Sequence, residues 1–562
     1  MQLIIKEYLS QLKESKELDE LLPALLLSMK HIPITTPQIG VRQYGVDIVT
    51  EFTNRDNKKI LYVFVIKKGD IGRSNWDSSP QSIRQTLNEI KDVYFNKIIN
   101  IEQKQLTKKI ILCTNGILKQ EIEISWNSYI ETNTVINNIE YELWNGYQLA
   151  HIIEKYMLNE FILLGNFKSL LRKTLALLGD SDYNLSDYYT ILKDNLLITE
   201  KNRKKSKRLL FSIRLILNII YNWSKENNNL KPALLAAERT ILNTWEYLKI
   251  NNFIDNLEII KIFDLLFQDF VRIHLEYFLK IEPFCYLKNG ISDNSRYYLL
   301  ENINLYEQLG IIAIAGLNHF YFGSIYNNED IIIISKRMKN TLKEFINNHP
   351  SISSPVYDNH INEIVLAIIL LRHFGEIEFI EKWILEIIHR IDFSYNVLKK
   401  YFPIDSDSLE DAVLISNSTN EDKEKMMRTS TLLMILLQIS AILKFDNIYK
   451  YIFNIVNKSF KNTTLQIWFP DITTDNYLYS ENAGYTSGIA FLPHPLPENI
   501  YEMNKIIVES YNKYMDKDTI SAIKKGFLIL PLIASRHFRT PILPIYWSIL
   551  LHDLQKKNNH EN

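Results

Sequence analysis

Leu18, Leu21, Leu22, Leu25 and Leu26 recur at three- and four-residue intervals, which predicts an amphipathic helix over about 17–30. The period then shortens. Gly45–Thr53 and Ile60–Lys67 are short runs rich in β-branched and aromatic residues, separated by the turn residues Asn54 to Asn57, and they predict two strands. A helical pattern follows over about 80–95. The apolar run Lys109–Thr114 predicts a buried strand stopped by Asn115 and Gly116, and a further strand at Glu140–Trp144 leads through Asn145 and Gly146 into a helix from Tyr147. Helix, strand, strand, helix and strand in that order predict an α/β sandwich over residues 1–160.

Beyond residue 160 the spacing is almost wholly helical, with segments near 162–179, 206–225, 231–250, 255–280, 330–347, 360–391, 425–457, 498–514 and 541–556. The breaks at Asn289–Ser295 and Pro403–Asp411 are turn-rich. Gly and Pro concentrate at Thr464–Pro497, where a small irregular or β-containing insert is expected. No fixed-period repeat stands out. The expected fold class is therefore α+β followed by all-α, with an α/β domain at 1–160 and helical domains at 161–350 and 351–562, the last carrying the insert near 464–497.

Composition narrows the classes. Sixteen glycines and sixteen prolines in 562 residues are few, which suits a helix-rich chain. Hydrophobic residues at 46% and charged residues at 23% argue for packed domains. A formal net charge of −1 excludes a generally basic nucleic-acid binder, so any phosphate contact must come from local patches. Two cysteines, Cys113 and Cys285, exclude a disulfide framework or a cysteine zinc site. The first residues lack a signal-peptide layout, and apolar runs such as Ile364–Leu371 fall far short of the roughly 20 residues of a membrane span. A soluble chain of the reducing cytoplasm is the expectation.

Candidate chemistry lies in the two strands. Phosphodiester hydrolysis needs carboxylates that hold a divalent cation, and a lysine that positions the nucleophile or neutralises the pentavalent state. Strand alternation puts Asp47, Val49 and Glu51 on one face of the first strand and Val63, Val65 and Lys67 on one face of the second. Neighbouring strands with agreeing faces would bring Asp47 and Lys67 to one site.

Gly45, Val46, Asp47 and Ile48 resemble the Gly-x-Asp segment that opens the acidic strand of the PD-(D/E)XK, or restriction-endonuclease-like, nuclease superfamily. Val65, Ile66, Lys67, Lys68 and Gly69 stand where that family carries Glu-x-Lys or Gln-x-Lys followed by Gly. The helix bearing Gln81, Arg84 and Gln85 resembles the family's second helix, Ile111–Gly116 is similar to its fourth core strand, and Trp144 to Gly146 resemble the usual domain end. The resemblance covers about a quarter of the chain, within the restriction-type domains of bacterial defence proteins. It implies a restriction-endonuclease-like α/β sandwich, Mg²⁺ or Mn²⁺ as cofactor, DNA in preference to RNA as substrate, Asp47 as metal ligand and Lys67 as the group that positions the attacking water. It also implies DNA contacts from Lys68, Gln81, Arg84 and Gln85. One piece departs: Val65 occupies the place of the second carboxylate, and a valine offers no oxygen to a hard cation. Substitute ligands are Glu51, Asp70 just past the lysine, and Glu20 on the first predicted helix.

Lys201 to Arg208 form the densest basic run. Lys204 and Lys205 within it would either grip a nucleic-acid backbone by counterion release or serve as a solvated helix start. No Gly-x-x-x-x-Gly-Lys phosphate loop, Gly-x-Ser-x-Gly elbow or convincing histidine metal pair occurs. The leading expectation is a metal-dependent nuclease of an anti-phage or restriction-type system, gated by a helical region that docks a partner protein or self-associates. The alternative is a catalytically degenerate domain in a helical scaffold or sensor that binds protein or nucleic acid.

Overall fold

The structure, a computed structural model, describes residues 2–12, 14–35, 44–54, 56–79, 82–137, 139–158, 167–180, 182–292, 298–400, 402–417, 427–471, 473–481, 488–493, 495–514, 520–547 and 550. The chain forms two compact units, 1–236 with 247–266 and 237–246 with 267–562, whose limits do not coincide with residues 161 or 351.

In the first unit, helices α1 (Gln2–Gln11) and α2 (Asp19–Ser28) precede a five-stranded mixed sheet of β1 (Ile32–Thr35), β2 (Ile48–Thr53), β3 (Lys59–Lys67), β4 (Thr107–Thr114) and β5 (Ile139–Trp144). The strands lie side by side in chain order. β1, β2 and β3 are antiparallel neighbours, whereas β4 runs parallel to β3 and β5 parallel to β4. Parallel pairing requires long crossovers. The first contains α3 (Ile83–Glu89), continued by a wider helical turn to Ile98, and the second is α4 (Gln120–Asn137).

Both crossovers cover one face of the sheet. Ile83, Leu87, Ile90, Ile122 and Trp126 pack with Val49, Val63, Val65, Ile110 and Leu112 in one buried cluster. On the other face His31 stacks on Phe52 at 4.8 Å, and Phe64 meets Trp144 at 5.5 Å. With both faces covered, Val63 to Ile66 are buried without interruption, the burial pattern of a central strand.

The expected strands and the helices over 17–30, 80–95 and from Tyr147 are present, the last as α5 (Gly146–Ile153). The elements not read from the sequence include α1, edge strand β1, the short helices Arg73–Asp77 and Ile101–Lys104, the eighteen-residue α4 and the helix Ser186–Leu196. α4 carries Ile122, Trp126 and Ile130 at helical spacing, but Ser, Asn and Thr fill it and hold its intrinsic helix preference low. Pro33 sits in β1, a position an edge strand tolerates because no ladder donor is needed there. Phe167–Leu177, Ser186–Leu196 and α6 (Arg203–Glu226) complete the unit's longer helices apart from its share of the two that follow.

The second unit is helical except for a hairpin of β6 (Ile467–Pro470) and β7 (Gly488–Phe491), which falls inside the 464–497 stretch. Helices α7 (Lys231–Ile250) and α8 (Leu257–Cys285) contribute residues to both units. α9 (Tyr298–Ile325) was missed in the sequence because it is apolar almost all round. Its buried run from Gln308 to His319 leaves no polar face to set a period. The single helix expected over 360–391 is two, α10 (Ile361–His373) and Ile377–Asp392, parted at Gly375, whose φ of 73° ends the first. The helix expected over 425–457 is likewise α11 (Thr431–Ile442) and Asp446–Ser459. Over 541–556 the described residues hold the short turn Pro544–Tyr546 followed by the helical residues Trp547 and Leu550, and α12 (Leu530–Phe538) precedes them. Buried Asp358 caps α11 from outside, accepting from Ser430 Oγ at 2.6 Å and from the Thr431 amide at 2.7 Å.

Among the described residues, no helix is long and apolar enough to cross a membrane.

Candidate active site

The ends of β2, β3 and β4 are joined by short polar links. The buried Asn115 amide accepts from the Gly69 amide at 2.7 Å and donates to the carbonyls of Leu9 at 2.7 Å and Leu12 at 3.0 Å, so it ties the end of β4 to the loop after β3 and to α1. Thr114 Oγ1 donates to the Gly69 carbonyl at 2.6 Å. Gly116 packs so tightly here that a Cβ would lie 2.3 Å from the Gly69 carbonyl carbon and 2.5 Å from the Asp70 nitrogen. Because both are backbone atoms, Gly116→Ala is expected to displace the Gly69–Asp70 loop and to cost ~1–3 kcal/mol, read as a lower unfolding temperature. An unchanged unfolding temperature would show that the loop yields freely. Gly45 is similarly constrained, with φ of 81° and a would-be Cβ 2.9 Å from the Thr86 carbonyl oxygen.

Asp47 immediately precedes β2. Its amide donates to the Phe64 carbonyl at 3.1 Å, and its Oδ2 accepts from the Ile66 amide at 2.7 Å. Burial pushes this carboxyl up to about 6. The Ile66 hydrogen bond and the Lys67 charge pull it down, while the nearby charges of Asp19 and Glu14 push it up. Lys67, the last residue of β3, thus sits close enough for its ammonium to act on Asp47. Among the described residues its Nζ has no hydrogen-bond or ion-pair partner. Glu14 Oε2 accepts from the Lys68 amide at 3.1 Å, which anchors the turn before α2 next to the lysine.

Asp47 and Lys67 are therefore brought together, and the acids that join them are Glu14 and Asp19. The other expected ligands lie elsewhere. Glu51 is four residues along β2, a rise of roughly 13 Å, and pairs with Lys59 at 3.7 Å. Alternation assigns the face but says nothing of distance along the strand. Asp70 is exposed and accepts from the Ile117 amide at 3.0 Å, a loop-closing role. Glu20 pairs with Arg214 of α6 at 2.9 Å. At about 100° per residue, Glu20 falls opposite the buried Leu22 and Leu25 of α2 and Leu18 just before it, while Asp19 borders Leu26. The leucine stripe itself held the signal that selects Asp19.

Of the expected nucleic-acid contacts, Lys68 is exposed beside the site. Arg84 pairs with Asp77 at 2.8 Å, and Gln85 reaches the same carboxylate at 3.4 Å. Gln81 lies outside the described residues. Lys204 and Lys205 are exposed in the first turn of α6, where Asn202 caps their amides and Lys205 pairs with Glu200 at 3.5 Å. Cations at a helix N-terminus oppose its dipole, so the run gains nothing from that position. Cys113 is buried, and burial raises its thiol well above the usual range, which makes it inert.

Among the described residues no three His, Cys, Asp or Glu side chains converge closely enough to hold a metal. Mg²⁺ seldom needs such a cage. It keeps several waters and binds through one or two carboxylates and substrate phosphates. Asp47, with Asp19 or Glu14, has the donor chemistry for that mode. Val65, fully buried among Val49, Val63 and Leu112, contributes about 1.5–3 kcal/mol to the core and has no oxygen to offer.

Fold and site together define a two-unit protein, an α/β sheet unit and a helical unit, with a small acid–lysine centre at the ends of the central strands. No protein-family model, curated protein or solved structure matches the chain.

Proposed function

We propose that the sheet unit is a Mg²⁺-dependent nuclease module of the restriction-endonuclease-like kind, acting on DNA in preference to RNA in an anti-phage or restriction-type role. The observation that carries this reading is the meeting of Asp47 and Lys67 at the ends of two adjacent strands, with Asp19 and Glu14 adding negative charge to the same spot. Like charges gathered at a partly buried carboxyl are a poor arrangement for stability and a good one for attracting a cation. The order of pieces also supports it: acidic strand, lysine strand, crossover helix and a strand paired to the lysine strand.

In this reading Asp47 holds the cation with Asp19 or Glu14, and Mn²⁺ substitutes for Mg²⁺. The bound ion supplies an activated water and charge stabilisation on the phosphate. Lys67 orients the attacking water and offsets charge on the phosphoryl oxygens. Lys68 adds a phosphate contact at the rim. The helical unit gates the reaction through a partner protein or self-association.

Val65 favours a second reading, in which a core residue has replaced an acidic ligand and the unit binds without cutting. Plasmid, single-stranded DNA and RNA incubated with Mg²⁺, Mn²⁺ or EDTA separate the two. The nuclease reading expects metal-dependent cutting of DNA that falls by ~10²-fold or more in Lys67→Ala. No cutting under any metal, with co-encoded partners present, overturns it in favour of the scaffold.

A further inference from the structure

Six of the eight residues from Lys201 to Arg208 are basic, and the fold holds them in a fixed place. Asn202 caps α6, the Ser206 hydroxyl accepts from Tyr247 Oη of α7 at 2.6 Å, and Asn251, at the end of α7, accepts from the Glu200 amide at 2.6 Å. Lys201, Arg203, Lys204 and Lys205 are all exposed, and no acidic residue stands in the first turn of α6. Cations there face the positive end of the helix dipole, so the run works against the helix that carries it.

The carboxylates at this end do not balance the run. Glu200 Oε2 lies 3.5 Å from Lys205 Nζ. Glu258, in the first turn of α8, accepts from Lys207 Nζ, and the charges of Arg203 and Lys261 also act on it, so one carboxylate serves three cations. Asp255, just before α8, is engaged by other groups. Over residues 198–208 and 251–261, seven cations stand against these three carboxylates, an excess of four. Among the described residues the side chains of Lys201, Arg203, Lys204 and Lys261 make no hydrogen bond or ion pair.

A dense, rigidly presented excess of positive charge fits a polyanion. The exposed apolar side chains at this end, Ile198, Ile250 and Leu257, are aliphatic, and the rings of Tyr247 and Phe253 are buried, so no aromatic face is offered to an unstacked base. That favours a duplex, gripped by its phosphates, over a single strand. The same helix also reaches the candidate active site, since Arg214 pairs with Glu20 at 2.9 Å, next to the Asp19 that acts on Asp47. Arg203 and Arg214 are about 17 Å apart along α6, half the length of one duplex turn.

We propose that Lys201, Arg203, Lys204 and Lys261 form a sequence-independent contact for the phosphate backbone of double-stranded DNA, on the unit that carries the Asp47 centre. The choice of DNA rests on the nuclease reading, but the contact itself needs neither metal nor Asp47.

Fluorescence anisotropy of a labelled duplex with the full-length protein in EDTA, between about 50 and 200 mM KCl, tests the contact. Four neutralised phosphates give a slope of about −3.6 for log affinity against log salt, and Arg203→Ala with Lys204→Ala should reduce it to about −1.8. Over that salt range the natural protein then loses affinity by ~10²-fold and the variant by only ~10-fold. The variant should unfold at the same or a higher temperature, because the dipole is relieved, which separates a lost contact from a lost fold. Lys336→Ala with Lys382→Ala, an equal loss of charge at exposed positions of the helical unit, should leave the slope as it is. No binding at the lowest salt, an unaltered slope in the α6 variant, or an equal change in the control overturns the proposal. So does single-stranded DNA bound as tightly as duplex, or binding to phosphatidylglycerol vesicles and not to duplex. Cutting with Mg²⁺ by a protein whose slope the α6 variant leaves unaltered overturns this contact alone; duplex binding as expected without any cutting upholds the contact and overturns the nuclease reading.

Discussion

Asp47→Asn is expected to lower Mg²⁺-dependent cleavage by ~10²-fold or more while raising the unfolding temperature at pH 8. The two effects have one cause. In the folded chain the carboxyl is pushed up to about 6 from 3.8, so between those values the native state holds a proton that the unfolded state has released. Stability of the natural protein therefore falls as pH rises through that window, and the deficit is complete above it. Asparagine can still accept from the Ile66 amide but carries no charge, so the variant escapes the deficit. The gain should be present at pH 8, absent near pH 4, and reduced by Mg²⁺, which stabilises the natural folded form by binding it. Thermal unfolding at the two pH values, with and without Mg²⁺, reads all three. A variant less stable than the natural protein at pH 8 would instead make Asp47 a structural cap on the β2–β3 ladder.

The largest loss of stability is expected from Arg536→Met. It leaves the Glu238 carboxylate buried with only His537 beside it and removes the guanidinium that faces Glu363, at a cost of about 3–5 kcal/mol. In the natural protein burial opposes the charged Glu238, yet Arg536 and His537 outweigh it and hold the carboxyl down at about 2, below its usual 4.5. That pair's contribution is present above about 4.5 and is lost as pH falls through about 2. In the variant the burial effect is unopposed by Arg536, so the deficit should be widest at pH 8 and shrink toward pH 4 as Glu238 takes up a proton. Glu238→Gln combined with Arg536→Met should recover most of the loss, since no stranded charge remains. Urea unfolding of the three proteins at both pH values gives the comparison. A single variant as stable as the natural protein at pH 8 would mean that water reaches the cluster.

The strands were legible because their signal is local. Lys59–Lys67 is nine residues of β-branched and aromatic character, and Asn115 with Gly116 ends the next strand as its turn chemistry dictates. Asp47 and Lys67 could be named because both stand at strand ends, where a period of two and a neighbouring strand leave little choice. Glu14 escaped notice because its approach depends on how the turn before α2 folds back on β3, which no local pattern records; Asp19 was passed over although the leucine stripe already set it beside the buried face. Glu51 was chosen on face alone, without the rise along the strand. The Glu238, Glu363 and Arg536 cluster had no sequence signature, since its members lie about 125 and 170 residues apart, each an ordinary charged residue on an amphipathic-looking helix. α9 failed for the opposite reason: uniform apolarity erases the period on which helix reading depends.

The staple made by Asn115 also bears on how this protein ages. An asparagine followed by glycine is the dipeptide most prone to spontaneous deamidation, and Asn115 is succeeded by Gly116. Once the amide became a carboxylate it would lose both N–H groups it gives to Leu9 and Leu12, and would set an anion against two carbonyl oxygens. Burial and the two donated bonds shield the amide while α1 stays docked, so the chemical lifetime of the sheet unit is governed by how seldom its first helix lifts away.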